Sequence, residues 1–203
     1  MNNEYKVQKM QWAQNIVDQI NNDPREFVKY RESRPVTDIK QMLESSVELY
    51  ADKVAFMQKD SNSQPYRNIT YKEALEDVNG LGTSLIAKGL KGKKIAVIGE
   101  NCYQWATSYL AAVCGTGVVV PLDKELNEAE LKGLITRADV ACVIFAKKYE
   151  EMFKRMKASG DTCLEVLVNF NAEEDTEEVY AWKSLKEAAL SEVPITFRGK
   201  RVF

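Results

Sequence analysis

Four short apolar runs, Lys94–Ile98, Val118–Val120, Val140–Phe145 and Cys163–Val168, recur between stretches of helical periodicity, and no other feature restricts the fold of this chain as strongly. A strand with one solvated face alternates apolar and polar residues. Ile95-Ala96-Val97-Ile98 and Val140-Ala141-Cys142-Val143-Ile144-Phe145 do not alternate, which is the pattern of strands buried on both faces. Parallel strands need connections long enough to hold a helix. The intervening segments supply them: Tyr103–Cys114 is helical in pattern, Leu131, Leu134 and Ile135 form an apolar stripe after Asn127, and Tyr149–Met156 follows the third run. The expected fold is α/β, a doubly wound and mostly parallel sheet with flanking helices and right-handed crossovers.

The segments before the sheet carry their own start and stop signals. Val7, Met10, Ile16, Val17 and Ile20 fall at mostly helical intervals until Asn21-Asn22-Asp23-Pro24, so residues 1–36 read as a helical N-terminal extension. A second helix is expected from Thr37 or Asp38 to about Tyr50, with Ile39, Met42, Leu43 and Val47 as its stripe. Val54–Met57 and Tyr66–Ile69 flank the polar turn Ser61–Pro65 and predict a short hairpin. Thr70 and Glu73 have capping-box spacing before Ala74, Leu75, Val78, Leu81, Leu85 and Ile86, and Gly89 ends that helix; Asn127 and Glu130 repeat the signal. Beyond Asn169, the acidic stretch Glu173–Glu178 reads as a solvated loop and Trp182–Leu190 as a further helix.

Composition removes several classes of function. With 28 Lys+Arg against 30 Asp+Glu the net charge is -2, which gives no general attraction to nucleic acid or to an acidic membrane surface. No stretch approaches the roughly 18 apolar residues of a transmembrane segment, and the first residues lack the apolar run of a secretory signal. A cytoplasmic protein is expected. The chain has no histidine, so its own residues form no Ser-His-Asp or Cys-His set and no imidazole metal site. Cys102, Cys114, Cys142 and Cys163 show no Cys-x-x-Cys spacing and are expected to be buried free thiols.

Ligands of open parallel sheets bind beyond the carboxyl ends of the strands. The first such place carries Gly99-Glu100-Asn101-Cys102-Tyr103-Gln104, which lacks the Gly-x-Gly-x-x-Gly of a dinucleotide site. Asn101 is read as the cap of the next helix or as a ligand contact. Trp105 and Tyr109, four residues apart on one helix face, would form a core pair or line an acyl pocket. Gly115 and Gly117 end a helix before a strand, and no Lys-Ser/Thr follows to make a phosphate loop. Asp123 and Glu125 read as solvated rather than as an acid–base pair or metal ligands, and Lys91, Lys93 and Lys94 as a charged turn. No catalytic, cofactor-binding or metal-ligating residue is assigned.

Four phrases in one order carry a family resemblance. They are Thr37–Leu43 with Tyr50-Ala51-Asp52-Lys53-Val54-Ala55-Phe56; Ile69-Thr70-Tyr71-Lys72-Glu73-Ala74; Lys94-Ile95-Ala96-Val97-Ile98-Gly99-Glu100-Asn101 with Trp105; and Ala112, Gly115 and Gly117 through Pro121-Leu122. Together the stretch resembles the start of the adenylate-forming superfamily, and within it the long-chain fatty acyl-CoA ligases. The resemblance implies a parent enzyme that uses ATP and magnesium to convert a fatty acid to an acyl-adenylate, then transfers the acyl group to coenzyme A. It also implies that residues 37–203 are the first part of the AMP-binding N-terminal domain, ending before the Ser/Thr/Gly-rich phosphate loop, and that this part alone is inactive. Asn101, Trp105 and Tyr109 would then serve as scaffold, acyl pocket or a homodimer contact. Two other readings stay open: a stand-alone, non-catalytic α/β binding module, and a flavodoxin-like nucleotide-binding domain.

Overall fold

The computed structural model describes residues 11, 14–16, 18, 34–59, 63–188, 196–197 and 200–201. The chain divides into two compact units, Met1–Pro35 and Val36–Phe203. In the first, Gln11, Gln14, Asn15, Ile16 and Asp18 are helical, and Gln14 Nε2 donates to Asp18 Oδ1 one turn on at 3.1 Å. The remainder of the helix expected over residues 6–20 lies outside the described residues.

The second unit begins with helix α1 (Ile39–Tyr50), capped by Asp38, whose carboxylate accepts the Gln41 amide at 2.8 Å. Strands β1 (Val54–Gln58) and β2 (Arg67–Thr70) pair antiparallel as a hairpin. Helix α2 (Tyr71–Ala87) opens with the expected capping box: Glu73 N donates to Thr70 Oγ1 at 3.2 Å, and Thr70 N to Glu73 Oε2 at 2.7 Å. Gly89, at φ +80°, turns the chain out of the helix.

The sheet follows as β3 (Lys94–Ile98), α3 (Tyr103–Ala111), β4 (Val118–Pro121), α4 (Glu128–Arg137), β5 (Val140–Phe145), α5 (Glu150–Ala158), β6 (Val166–Asn169), β7 (Tyr180–Ala181) and α6 (Trp182–Ala188). A small antiparallel pair, β8 (Thr196–Phe197) with β9 (Lys200–Arg201), comes last. The strand order is β4-β3-β5-β6-β7, and every neighbouring pair is parallel. The doubly wound parallel fold read from the sequence is therefore present, with two differences. β6 starts at Val166 rather than Cys163, and a fifth strand, β7, lies directly after the acidic loop. Two residues are too short a run to show a period. They become a strand only because Val168 and Asn169 of β6 pair with Tyr180 and Ala181.

Successive residues of the buried strands feed two cores. Ile95, Val97, Cys142, Ile144, Val166 and Val168 pack on one face with Leu43, Val78, Leu81, Leu85, Trp182 and Leu185 from α1, α2 and α6. Ala96, Ile98, Val143, Phe145 and Leu167 pack on the other with Leu131, Ile135, Phe153 and Met156 from α4 and α5. This division follows from the two-residue side-chain period of a strand.

Between α3 and β4 the chain makes one π turn, Ala112–Thr116, with Gly115 at φ +144°. A Cβ on Gly117 would stand 2.1 Å from the Lys93 carbonyl oxygen, so only glycine admits the close approach to β3. The basic turn has a more specific role than solubility. Lys93 Nζ pairs with Glu165 at 2.6 Å and Lys94 Nζ with Asp139 at 3.4 Å, joining the start of β3 to the segments that lead into β6 and β5. Two of the four cysteines depart from expectation: Cys114 and Cys142 are buried, but Cys102 is half-buried and Cys163 exposed, all four free. Cys163 precedes β6 and so stays outside the pleat that would bury it. Burial pushes the Cys114 thiol up to about 11 and the Cys142 thiol further.

Candidate functional site

β3 runs toward one neighbour, β4, while β5, β6 and β7 lie on its other side, so the winding direction reverses between β3 and β5. This is the switch point at which open α/β sheets present ligand sites. Its floor is filled by the protein. A Cβ on Gly99 would come within 2.9 Å of Phe170 Cε2 and 3.1 Å of Ala146 Cβ, so glycine at the end of β3 lets the Phe170 ring cover the strand ends.

Beside this plug opens a cleft of about 1030 Å³, bounded by the hairpin, the first turn of α3, the loop after β6, and α6. Tyr103, itself buried, forms part of its wall. The phenol donates to Asp77 Oδ2 at 2.8 Å, and Lys186 Nζ donates to Asp77 Oδ1 at 2.9 Å. Phe56 and Trp182 meet the Tyr103 ring edge-on, with centroids 5.2 and 6.1 Å away. Trp182 Nε1 in turn donates to Ser108 Oγ at 3.1 Å. Burial first, then the Asp77 carboxylate, raises the Tyr103 phenol well above the usual tyrosine value.

Gln58 fixes the hairpin to α3. Its Oε1 accepts the Tyr103 amide at 2.7 Å and its Nε2 donates to Gln104 Oε1 at 3.0 Å. That contact explains why the cap expected at Asn101 falls one residue later. The first helical amide is satisfied from the hairpin, and Cys102 occupies the cap, its Sγ accepting the Trp105 amide at 3.4 Å. Asn101 is exposed and lines the cleft. Trp105 and Tyr109 do share a helix face, stacked with centroids 5.7 Å apart and planes at 16°, but neither borders the cleft. The structure thus brings Asn101 to the cleft and leaves the aromatic pair outside it.

At the rim of the same cleft, Glu100 joins two lysines. Its Oε1 accepts Lys148 Nζ at 3.0 Å and its Oε2 accepts Lys124 Nζ. The two ammonium groups hold the Glu100 carboxyl below the usual range, and Glu100 holds both lysines above theirs. Asp123 Oδ1 accepts the Glu125 amide at 2.9 Å within a turn. No group of three His, Cys, Asp or Glu residues suited to a metal occurs among the described residues, and no described helix is long and apolar enough to cross a membrane.

The strand ends do not fit ATP by themselves. Phe170 fills the floor, a carboxylate stands at the rim, and the loop lacks the glycines that let phosphates approach backbone amides. Tyr103 and Lys186 line the cleft and are joined behind it by Asp77, a link that sequence does not show because the partners lie 26 and 109 residues from Asp77. The four-residue spacing of Trp182 and Lys186 was the only local hint.

A family model described as AMP-binding enzyme matches residues 43–197. Long-chain-fatty-acid–CoA ligase 5 of Rattus norvegicus is 34% identical over 85 residues, which cover 40% of this chain and 12% of that protein. Long chain acyl-CoA synthetase 2 of Arabidopsis thaliana is 26% identical over 119 residues, covering 58% of this chain and 18% of that one. The matched stretches are thus a small part of these curated relatives. Among solved structures, the A-PCP didomain of carboxylic acid reductase from Segniliparus rugosus, in complex with AMP, shares the fold at TM-score 0.67 and 15% identity, over 92% of this chain and 32% of that one. A long-chain-fatty-acid-CoA ligase from Archaeoglobus fulgidus does so at TM-score 0.64 and 16% identity, over 77% and 31%.

Proposed function

This chain belongs to the AMP-binding enzyme family, within the adenylate-forming superfamily, and from that premise we propose that the protein carrying it is an AMP-forming ligase joining a long-chain fatty acid to coenzyme A. The carrying observation is the family match over residues 43–197, which spans the hairpin and the whole five-stranded sheet. The curated relatives named as long-chain acyl-CoA ligases support the substrate class. In this reading ATP and magnesium drive formation of an acyl-adenylate, and the coenzyme A thiol then displaces AMP.

Residues 37–203 contribute scaffold, as the first part of the AMP-binding domain. Adenylyl transfer depends on preorganised donors around the phosphates, and residues 1–203 contain no Ser/Thr/Gly-rich loop ending in lysine. The isolated chain is accordingly expected to be inactive. Asn101 contributes to the wall of the cleft, and the stacked pair Trp105 and Tyr109 serves as scaffold on α3.

The test is product analysis on the whole protein that carries this chain, supplied with ATP, magnesium, coenzyme A and either palmitate or acetate. Palmitoyl-CoA and AMP should form, with much less product from acetate. No AMP from any fatty acid would overturn the reading and favour the stand-alone binding module, for which the aromatic cleft around Tyr103 would be the binding surface.

A further inference from the structure

β4, β3 and β5 are adjacent strands, so the loops leaving their carboxyl ends are neighbours, and each loop delivers one charged side chain to a common point: Lys124, Glu100 and Lys148. We propose that this point is an exchangeable oxyanion site for a phosphate dianion, and that Glu100 is the oxyanion resident there when phosphate is absent.

The geometry is that of a bridging ligand. Each oxygen of one carboxylate takes a different ammonium, and two oxygens of a phosphate group have a similar separation while carrying more negative charge. Solvent reaches all three groups: the Lys124, Glu100 and Lys148 side chains are 40%, 58% and 52% exposed. Ion pairs so exposed are weak, so an incoming phosphate displaces Glu100 at little cost. Both lysines are charged throughout the neutral range, as any exposed lysine is, so their attraction for an anion does not depend on Glu100.

Direct binding to the 203-residue chain at low ionic strength tests the assignment without any ligase assay. Inorganic phosphate should bind the Glu100→Gln variant about tenfold more tightly than the unaltered chain, since the carboxylate that bridges both lysines is gone and Glu125 reaches Lys124 alone, at 3.9 Å. Adding Lys124→Ala and Lys148→Ala to that variant should abolish the gain, and raising salt should weaken it. AMP in a parallel arm distinguishes free phosphate from the phosphate end of a nucleotide. Equal response to both or preference for either sustains the site and names its source. Unchanged affinity in Glu100→Gln, with far-UV circular dichroism showing a retained fold, would overturn the proposal, as would full binding by the variant lacking both lysines.

Discussion

The two faces of the sheet are held in different ways. The face covered by α4 and α5 is an apolar layer: Leu131, Ile135 and Phe153 are fully buried against Val143, Phe145 and Leu167, and the ion pairs Arg155–Glu128 and Lys132–Asp161 sit outside it. The face covered by α1, α2, α3 and α6 adds specific polar joints to its apolar layer. Asp77 holds Tyr103 and Lys186, Ser84 Oγ donates to the Leu185 carbonyl at 2.5 Å, and Gly80 lets α6 press its backbone onto α2. Inside the first layer hydrophobic residues of suitable size suffice, and its polar contacts, Tyr149 OH to the Lys124 carbonyl at 3.0 Å and Asn169 Nδ2 to Glu150 Oε2 at 2.5 Å, lie at the ends of the strands. The second sets particular atoms against particular atoms, and it is the face that walls the cleft.

The largest expected effect tests the apolar face. Phe153→Ala removes a fully buried ring packed 5.2 Å from Phe145 and should cost about 4 kcal/mol of unfolding free energy in urea titration. A loss under about 1 kcal/mol would mean that this layer is not close-packed. Next comes Gly80→Ala: the added methyl would stand 2.1 Å from the Lys186 carbonyl oxygen, so α6 must shift, at a cost of about 2 kcal/mol. Its counterpart on the other face is Gly133 in α4, where an added Cβ would meet nothing within 4 Å. Gly133→Ala should therefore stabilise by up to about 1 kcal/mol, from helix propensity alone. Two helical glycines with opposite responses would sharpen the contrast, and the same sign in both would break it.

A smaller effect depends on pH. The folded-state pKa of Tyr103 is raised, by burial and then by Asp77. Its neutral phenol therefore contributes stability that is complete below the ordinary tyrosine value and lost as pH climbs from there toward the raised one. Between about pH 9 and 11 the stability of the unaltered chain should fall more steeply than that of Tyr103→Phe, measured by urea titration at each pH. Parallel curves would show that Tyr103 ionises as freely in the fold as outside it.

The same contrast explains what could be read from sequence. Thr70 with Glu73 and Asn127 with Glu130 are capping boxes in the structure, because both partners lie within one helical turn. The buried strands were legible for a similar reason: Val140–Phe145 is apolar at every position and buried throughout. Asn101 misled because its role as cap went to Cys102 once Gln58 arrived from the hairpin, a contact 45 residues away. The Asp77–Tyr103–Lys186 group and β7 were invisible for the same physical cause, since each depends on partners brought together only by the sheet. Local signals encoded the elements, whereas the polar joints around the cleft arose from packing at long range.

On the proposed function this sheet is scaffold for an adenylating ligase, and residues 1–203 hold no Ser/Thr/Gly-rich loop ending in lysine to carry out the adenylyl transfer alone. Fatty-acid-dependent exchange of labelled pyrophosphate into ATP measures the adenylating step directly. The whole protein that carries the chain should catalyse exchange when palmitate is present, and residues 1–203 alone should not. Exchange by the 203-residue chain itself, or none by the whole protein with any fatty acid, would contradict the account.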